Sequence, residues 1–224
     1  MEEIRLIEIK EAIHTDNTIK ANLLRENLSK SKTFLLNLMS SPGAGKTTTI
    51  LKTIETMGGK IRTGVIEADI DSMVDAEKIA AKGIAAVQLR TGGFCHLDAS
   101  MVEKGLEGLN LDNLDLVIIE NVGNLVCPAE FDTGAIKNVM ILSVPEGDDK
   151  PLKYPLMFTV CDVLLINKID YLTLSDFDVA AAKARAKNLN PNIEIFQISS
   201  KTGEGIAAWA EWLLKEVTTF LNKP

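Results

Sequence analysis

The chain has 224 residues, 46% of them hydrophobic and 25% charged, enough apolar content for the full core of one domain. Its net charge of −7, from 24 basic and 31 acidic residues, argues against a broad nucleic-acid-binding surface. Three cysteines are too few for a disulfide framework and suit a reducing, cytoplasmic compartment. No stretch approaches the roughly 18 uncharged apolar residues of a membrane span, and Met1-Glu2-Glu3-Ile4-Arg5 lacks the basic-then-apolar layout of a signal peptide.

In chain order, residues 1–32 read as an N-terminal helical extension, with Thr15-Asp16 as the N-cap of a helix reaching about Ser29. Residues 33–224 read as one nucleotide-binding domain. Apolar runs at 33–39, 61–67, 84–89, 114–120, 137–143, 162–167 and 193–198 predict strands. Helical spacing falls between most of them, at about 46–57, 72–82, 97–108, 151–159, 175–188 and 204–221. This alternation predicts an α/β fold: a doubly wound, mostly parallel sheet of about seven strands with helices on both faces. Ile206, Trp209, Leu213 and Phe220 of the last helix read as core.

The run Ser40-Ser41-Pro42-Gly43-Ala44-Gly45-Lys46-Thr47 follows the first strand and opens the first helix of the domain. A strand, a glycine loop and a helix start make a phosphate cradle: loop amides and the helix N-terminus face the anion. Lys46 adds positive charge, Thr47 offers a hydroxyl to Mg²⁺, and Gly43, Ala44, Gly45 and Thr48 complete the loop. The pattern G-x-x-x-x-G-K-[ST] is met except at its first glycine, where Ser40 stands. That change is harmless if Ser40 keeps ordinary strand dihedrals.

The strand ending near residue 167 runs into Asn167-Lys168-Ile169-Asp170, and Ser199-Ser200-Lys201 follows the next strand. A carboxylate at Asp170 can accept from both N1–H and the 2-amino group of guanine, donors that adenine lacks there. The Lys168 stem can cover the base, and Asn167 can tie neighbouring loops together. These elements resemble the Asn-Lys-x-Asp and Ser-Ala-Lys elements of GTPases.

Leu114–Glu120 ends in an acid and continues as Asn121-Val122-Gly123. A carboxylate at the tip of a buried strand beside a phosphate loop is the expected partner of nucleotide Mg²⁺, and Gly123 lets backbone approach the γ-phosphate. In Glu67-Ala68-Asp69-Ile70-Asp71-Ser72 the expected metal-side acid is Asp69, with Asp71 or Ser72 capping the helix that follows. No glutamine stands out to orient water and no arginine lies in the phosphate loop, so Lys46, Thr47 and Glu120 are the candidate catalytic residues and slow turnover is expected.

Cys95-His96 lies in a glycine-rich loop and Cys127-Pro128 follows shortly after Gly123. If their strands share the sheet, both loops emerge on the nucleotide side. Two thiolates and an imidazole suit Zn²⁺, Ni²⁺ or Cu, but three ligands leave the site open or shared across a two-fold axis. The residues alone leave another reading standing, in which Cys127 is a small buried hydrophobe and His96 an exposed loop residue. Cys161 opens a core-type strand with no such neighbour and reads as packing.

Taken together, Ser41–Thr47, Glu67-Ala68-Asp69, Thr91-Gly92 through Cys95-His96-Leu97-Asp98-Ala99, Glu120–Ala129, Ser143–Pro155 and Asn167–Asp170 closely resemble the hydrogenase-maturation nickel-incorporation GTPases, the HypB group of the SIMIBI class of P-loop GTPases. The resemblance spans about residues 33–216. It implies a GTP-hydrolysing metallochaperone that binds Ni²⁺ or Zn²⁺ at Cys95, His96 and Cys127. It also implies GTP-dependent homodimers that act with a small zinc-containing nickel chaperone to deliver nickel to the hydrogenase large subunit. Lys150 or Lys153 is expected to face the partner's nucleotide. Some relatives carry an N-terminal cysteine- or histidine-rich nickel motif, whereas residues 1–32 hold no Cys and one His. The alternative is a GTP-regulated assembly or signalling switch in which the metal site is structural or absent.

Overall fold

The computed structural model describes residues 9–69 and 73–223. The proposed capping by Asp71 or Ser72 and the layout of Met1–Arg5 lie outside the described residues.

Seven parallel strands form one sheet in the order β3-β2-β4-β1-β5-β6-β7. They are β1 (Phe34–Ser40), β2 (Thr63–Asp69), β3 (Ala85–Arg90), β4 (Leu116–Glu120), β5 (Lys137–Ser143), β6 (Val163–Asn167) and β7 (Glu194–Gln197). The inner strands are near-continuous apolar runs because both faces of the sheet are covered. The edge strands β3 and β7 are less buried. Successive residues of β1 point to opposite faces. Phe34, Leu36 and Leu38 pack toward Ile50 and Met57 of α2 (Lys46–Met57) and Trp209 and Leu213 of α9 (Ile206–Leu221). On the other face, Leu35, Val117 and Ile119 meet Leu24 and Leu28 of α1 (Ile9–Lys30) and Val102 and Leu106 of α4 (Ala99–Glu107). Further along that face, Met140, Leu142 and Leu164 meet Met157 and Phe158 of α7 (Pro155–Val160) and Ala182 and Ala186 of α8 (Val179–Leu189).

Trp209, Leu213 and Phe220 are core, as expected, and the Trp209 indole N–H donates to Thr53 Oγ1 at 3.0 Å. The remaining helices are short: α3 (Val74–Ala80), α5 (Cys127–Glu130) and α6 (Lys150–Lys153).

Two element boundaries differ from expectation. The helix expected over 151–159 is two helices, α6 and α7, broken at Tyr154 (φ −131°, ψ 56°). Pro155 is the cause: it supplies no N–H and disfavours helical dihedrals at the residue before it. The helix expected from Thr15-Asp16 runs through them from Ile9, so they lie within the helix and not at its start. A polar pair inside a long helix looks like a start signal when the preceding turn lacks a strong apolar stripe.

β1 sits between β4 and β5, and the chain departs from it in both directions across the sheet. Such a switch point opens a crevice at the carboxyl ends of the strands. The phosphate-loop, guanine-type and thiol residues gather along that edge.

Candidate nucleotide and metal site

The phosphate loop spans the gap between Ser40, the last residue of β1, and Lys46, the first of α2. Gly43 and Gly45 have φ of 75° and 102°, in the left-handed region that favours glycine. At Gly45 a Cβ would also lie 2.7 Å from Asn167 Nδ2. Ser40 is buried and is not among the positive-φ residues. Its hydroxyl donates to the Ser41 carbonyl at 2.7 Å and accepts from Lys46 Nζ at 3.3 Å. The missing glycine therefore costs no backbone strain, and the serine gives Lys46 a resting partner.

Thr47 Oγ1 donates to Glu120 Oε1 at 2.8 Å. Glu120 ends β4, opposite Leu38 on one side and Glu67 on the other. The carboxylate oxygens of Glu67, Asp75 and Glu120 lie within 4.8 Å of one another. Glu67 Oε2 and Glu120 Oε2 are buried without a hydrogen-bond partner. Burial pushes the Glu120 carboxyl up to about 7, against the pull of Thr47 and Lys46. Burial and then the neighbouring Glu120 charge push Glu67 up to about 7, opposed by Gln88. Buried acids with unused oxygens, beside a threonine hydroxyl and a phosphate loop, fit a hard divalent cation such as Mg²⁺.

Asp69, the acid chosen from the sequence, is not in this cluster. The parallel register puts Glu67 directly beside Glu120, whereas Asp69 lies two residues further along, past the end of β4. Asp75 enters from α3. A buried glutamate within an apolar strand was the legible signal for Glu67. Asp75 carried none, since an acid in a first helical turn reads as a dipole partner. Gly123 packs against the phosphate loop: a Cβ there would come within 3.0 Å of Pro42. The glycine thus serves a close approach of backbone to backbone.

The guanine-type residues are cross-wired to the phosphate loop. Asn167 Nδ2 donates to the Ala44 carbonyl at 2.9 Å, while its Oδ1 accepts from Ser200 N at 3.1 Å and Ser200 Oγ at 2.9 Å. Lys168, with φ 62°, donates from Nζ to the Gly43 carbonyl at 2.7 Å. Asp170 Oδ1 accepts from Ser199 Oγ at 2.6 Å. Between them is an open pocket of about 260 Å³, with Gly45, Thr48, Lys168, Asp170, Ser200 and Lys201 on its walls. Tyr171 also lines it, with Lys201 Nζ 6.0 Å from its ring centroid. Lys153 is apart from this pocket, exposed on α6 and paired with Asp149 at 2.5 Å.

Cys95, His96 and Cys127 offer ligand atoms that all lie within 4.8 Å of one another. The two Sγ atoms are 2.8 Å apart as free thiols, and His96 Nδ1 is 4.0 Å from Cys95 Sγ. The side chains are half-buried, so neither the buried-hydrophobe reading of Cys127 nor the exposed-loop reading of His96 describes them. The Cys95 hydrogen bond, then burial, raises the Cys127 thiol pKa. The two loops are tied together: Asn124 Oδ1 accepts from Val126 N at 2.8 Å, and Asn124 Nδ2 points to the Cys95 carbonyl at 3.5 Å. His96 stacks on Phe131 with centroids 3.8 Å apart, a contact with no sequence signal. Phe94 and Val126, each just before a cysteine, are 56% and 50% exposed. Borderline-soft N and S donors converging in this way fit Ni²⁺ or Zn²⁺. Cys161 is elsewhere: buried, its thiol 3.9 Å from Met157 Sδ and raised in pKa by burial.

Comparison with known proteins agrees with this fold. The family described as "CobW/HypB/UreG, nucleotide-binding domain" matches residues 34–197. A hydrogenase maturation factor HypB of Azotobacter chroococcum is 46% identical over 218 residues, covering 96% of this chain and 71% of the relative. A crystal structure of HypB from Helicobacter pylori in complex with nickel superposes with a TM-score of 0.87 at 39% identity, covering 93% of this chain and 98% of that one. HypB from Archaeoglobus fulgidus gives a TM-score of 0.84 at 39% identity, covering 91% and 99%. Among the described residues no helix is long and apolar enough to cross a membrane.

Proposed function

The chain belongs to the HypB hydrogenase maturation factors of the CobW/HypB/UreG family, and on that premise we propose that it is a cytoplasmic, GTP-hydrolysing nickel metallochaperone with GTP-dependent dimerisation as its switch. The H. pylori relative was crystallised with nickel. The observation that carries the reading to this chain is the convergence of Cys95, His96 and Cys127 within 4.8 Å, on loops that leave the same sheet edge as the phosphate loop. Ni²⁺ or Zn²⁺ binds there. The ion is cargo, received from a small nickel chaperone and passed toward the hydrogenase large subunit.

GTP lies with its phosphates along Gly43–Thr48 and its base in the pocket of Lys168, Asp170 and Lys201. Asp170 accepts from the guanine edge while Ser199 holds its other side in place. Asn167 keeps the base loop and the phosphate loop in one rigid piece, which preorganises the site before nucleotide arrives. Lys46 leaves Ser40 for the phosphate oxygens and stabilises charge developing at the β–γ bridge as water attacks the γ-phosphorus and GDP leaves. Thr47 and Glu120, with Glu67 and Asp75 close by, would hold Mg²⁺, which would neutralise phosphate charge. Lys153, exposed on α6, acts on the nucleotide of a second subunit.

The coupling runs through Glu120–Gly123. Glu120 faces the cation side, Gly123 touches Pro42, and Asn124 touches the Cys95 loop. Any shift of this segment with nucleotide state moves the thiol set. Nickel titration in GDP and in a non-hydrolysable GTP analogue tests this. The two affinities should differ by about 5- to 150-fold, and nickel should shift nucleotide affinity by the same factor. Equal affinities would leave a structural metal site in a GTP-regulated assembly switch.

A further inference from the structure

Helix α1 lies outside the matched family region, yet it touches both metal-bearing loops through one side chain. Asn17 is buried, 7% exposed. Its Oδ1 accepts from the backbone N–H of Ala99 at 3.0 Å, and its Nδ2 donates to the carbonyl of Asp132 at 2.9 Å. Ala99 comes three residues after His96, at the start of α4, where Asp98 caps Met101 N. Asp132 follows Phe131, on which His96 stacks. The two loops are far apart in sequence, and this amide joins their downstream ends. Arg25, two turns further along α1, reinforces the second attachment. It bonds Asp132 Oδ1 at 2.5 Å and the Ala135 carbonyl at 3.1 Å.

We propose that Asn17 is a positioning residue for the metal site, clamping the Cys95–His96 loop against the Cys127–Phe131 segment. The inference rests on the metal reading of Cys95, His96 and Cys127. The upstream ends of both loops are anchored by the strands they leave and by Asn124. Without the clamp, the downstream ends lose the described side chain that bonds both of them, and α1 keeps only separate attachments, Lys20 to Ser100 Oγ at 2.9 Å and Arg25 to Asp132. The His96 ring belongs to one of the joined segments and its Phe131 platform to the other. A small separation there displaces the imidazole from the thiols while the ligands stay chemically intact. Asn is suited to the task because one side chain supplies both a donor and an acceptor. Leucine would strip this partner from the buried Ala99 N–H and the part-buried Asp132 carbonyl, and aspartate would keep only the acceptor. The clamp joins the two metal-bearing segments, so its expected effect is on metal and not on nucleotide.

The test uses the full chain. Ni²⁺ affinity is measured by chelator competition and by the thiolate-to-nickel charge-transfer absorption. GDP affinity is measured in the same samples. Asn17→Ala and Asn17→Asp should each weaken Ni²⁺ binding by about 10- to 100-fold, the usual cost of losing a group that orients a ligand. The absorption should shift as the imidazole contribution weakens, and GDP affinity should be unchanged. Unchanged Ni²⁺ affinity in folded variants overturns the proposal. Parallel loss of GDP and Ni²⁺ binding in both variants also overturns it, since Asn17 would then serve only general folding. Cys95→Ser is the control: if it too binds Ni²⁺ as the native chain does, the metal reading itself fails, whatever Asn17 does.

Discussion

The guanine pocket and the thiol cluster share one sheet edge but are held in different ways. The guanine pocket is pinned by side chains bonded to backbone. Asn167 reaches the Ala44 carbonyl and Ser200, and Lys168 reaches the Gly43 carbonyl. Its parts come straight off the ends of β1, β6 and β7. The thiol cluster hangs from loops, and its ties are a stacked ring, one asparagine bridging the loops and one asparagine arriving from α1. The difference suits the tasks. A specificity pocket gains from rigidity, because an Asp170 denied guanine's donors discriminates only if it cannot relax. A site that must release cargo needs ligands on segments that move at modest cost.

If the regions are as separate as their attachments suggest, each can be broken alone. The largest effect is expected from Asp170→Asn. GTP affinity should fall on the order of 10³-fold, because the amide presents an N–H donor to guanine donors, while xanthosine triphosphate should gain. Ni²⁺ affinity in the nucleotide-free protein should stay native. An equal loss at the thiol site would show that the regions are one unit. Isothermal titration with each ligand decides it.

The reciprocal variants are Cys95→Ser and Cys127→Ser. Each should lower Ni²⁺ affinity by about 10²-fold or more, since thiolates are the softest, charged ligands of the set. Each should leave GDP affinity intact. Cys161→Ser should spare metal binding and cost only stability, because its sulfur packs on Met157. If Cys161→Ser weakened nickel binding like the other two, the assignment of the site to the loops would be wrong.

A smaller effect sharpens where the two regions meet. Glu67 and Glu120 are pushed up to about 7 from an ordinary value of 4.5. An acid whose folded pKa is raised stabilises the fold below its unfolded pKa, and that stability is lost as pH rises through the folded value. The ligand-free protein should therefore lose this contribution between about pH 4.5 and 7. Mg²⁺ with GDP should restore it at the upper end by neutralising the ionised pair. Glu120→Gln should flatten this part of the profile by a few degrees in Tm. Thermal melts across that window, with and without Mg²⁺-GDP, check it. An unchanged profile in Glu120→Gln would remove Glu120 from the acid cluster's energetics.

Much of this protein is legible along the chain. Strand and helix alternation produced the layered sheet, because burial on both faces leaves near-continuous apolar runs that flanking helices must cover. The phosphate loop and Asn167–Asp170 were readable because each is a local device: a turn, a cap and a strand end whose chemistry lies within a few consecutive residues. Cys95, His96 and Cys127 were readable as a candidate set, but their meeting depends on β3 and β4 both belonging to the sheet on either side of β2. Tertiary structure alone decided the rest. The register of β2 against β4 chose Glu67 over Asp69 as the neighbour of Glu120. Packing of α1 brought Asn17 between two loops some 30 residues apart, and loop closure put Phe131 under His96. Pro155 split a helix that periodicity alone would have continued. Sequence patterns report contacts between near neighbours, whereas these features are contacts across the fold, where one residue of register or one turn of helix changes the partner.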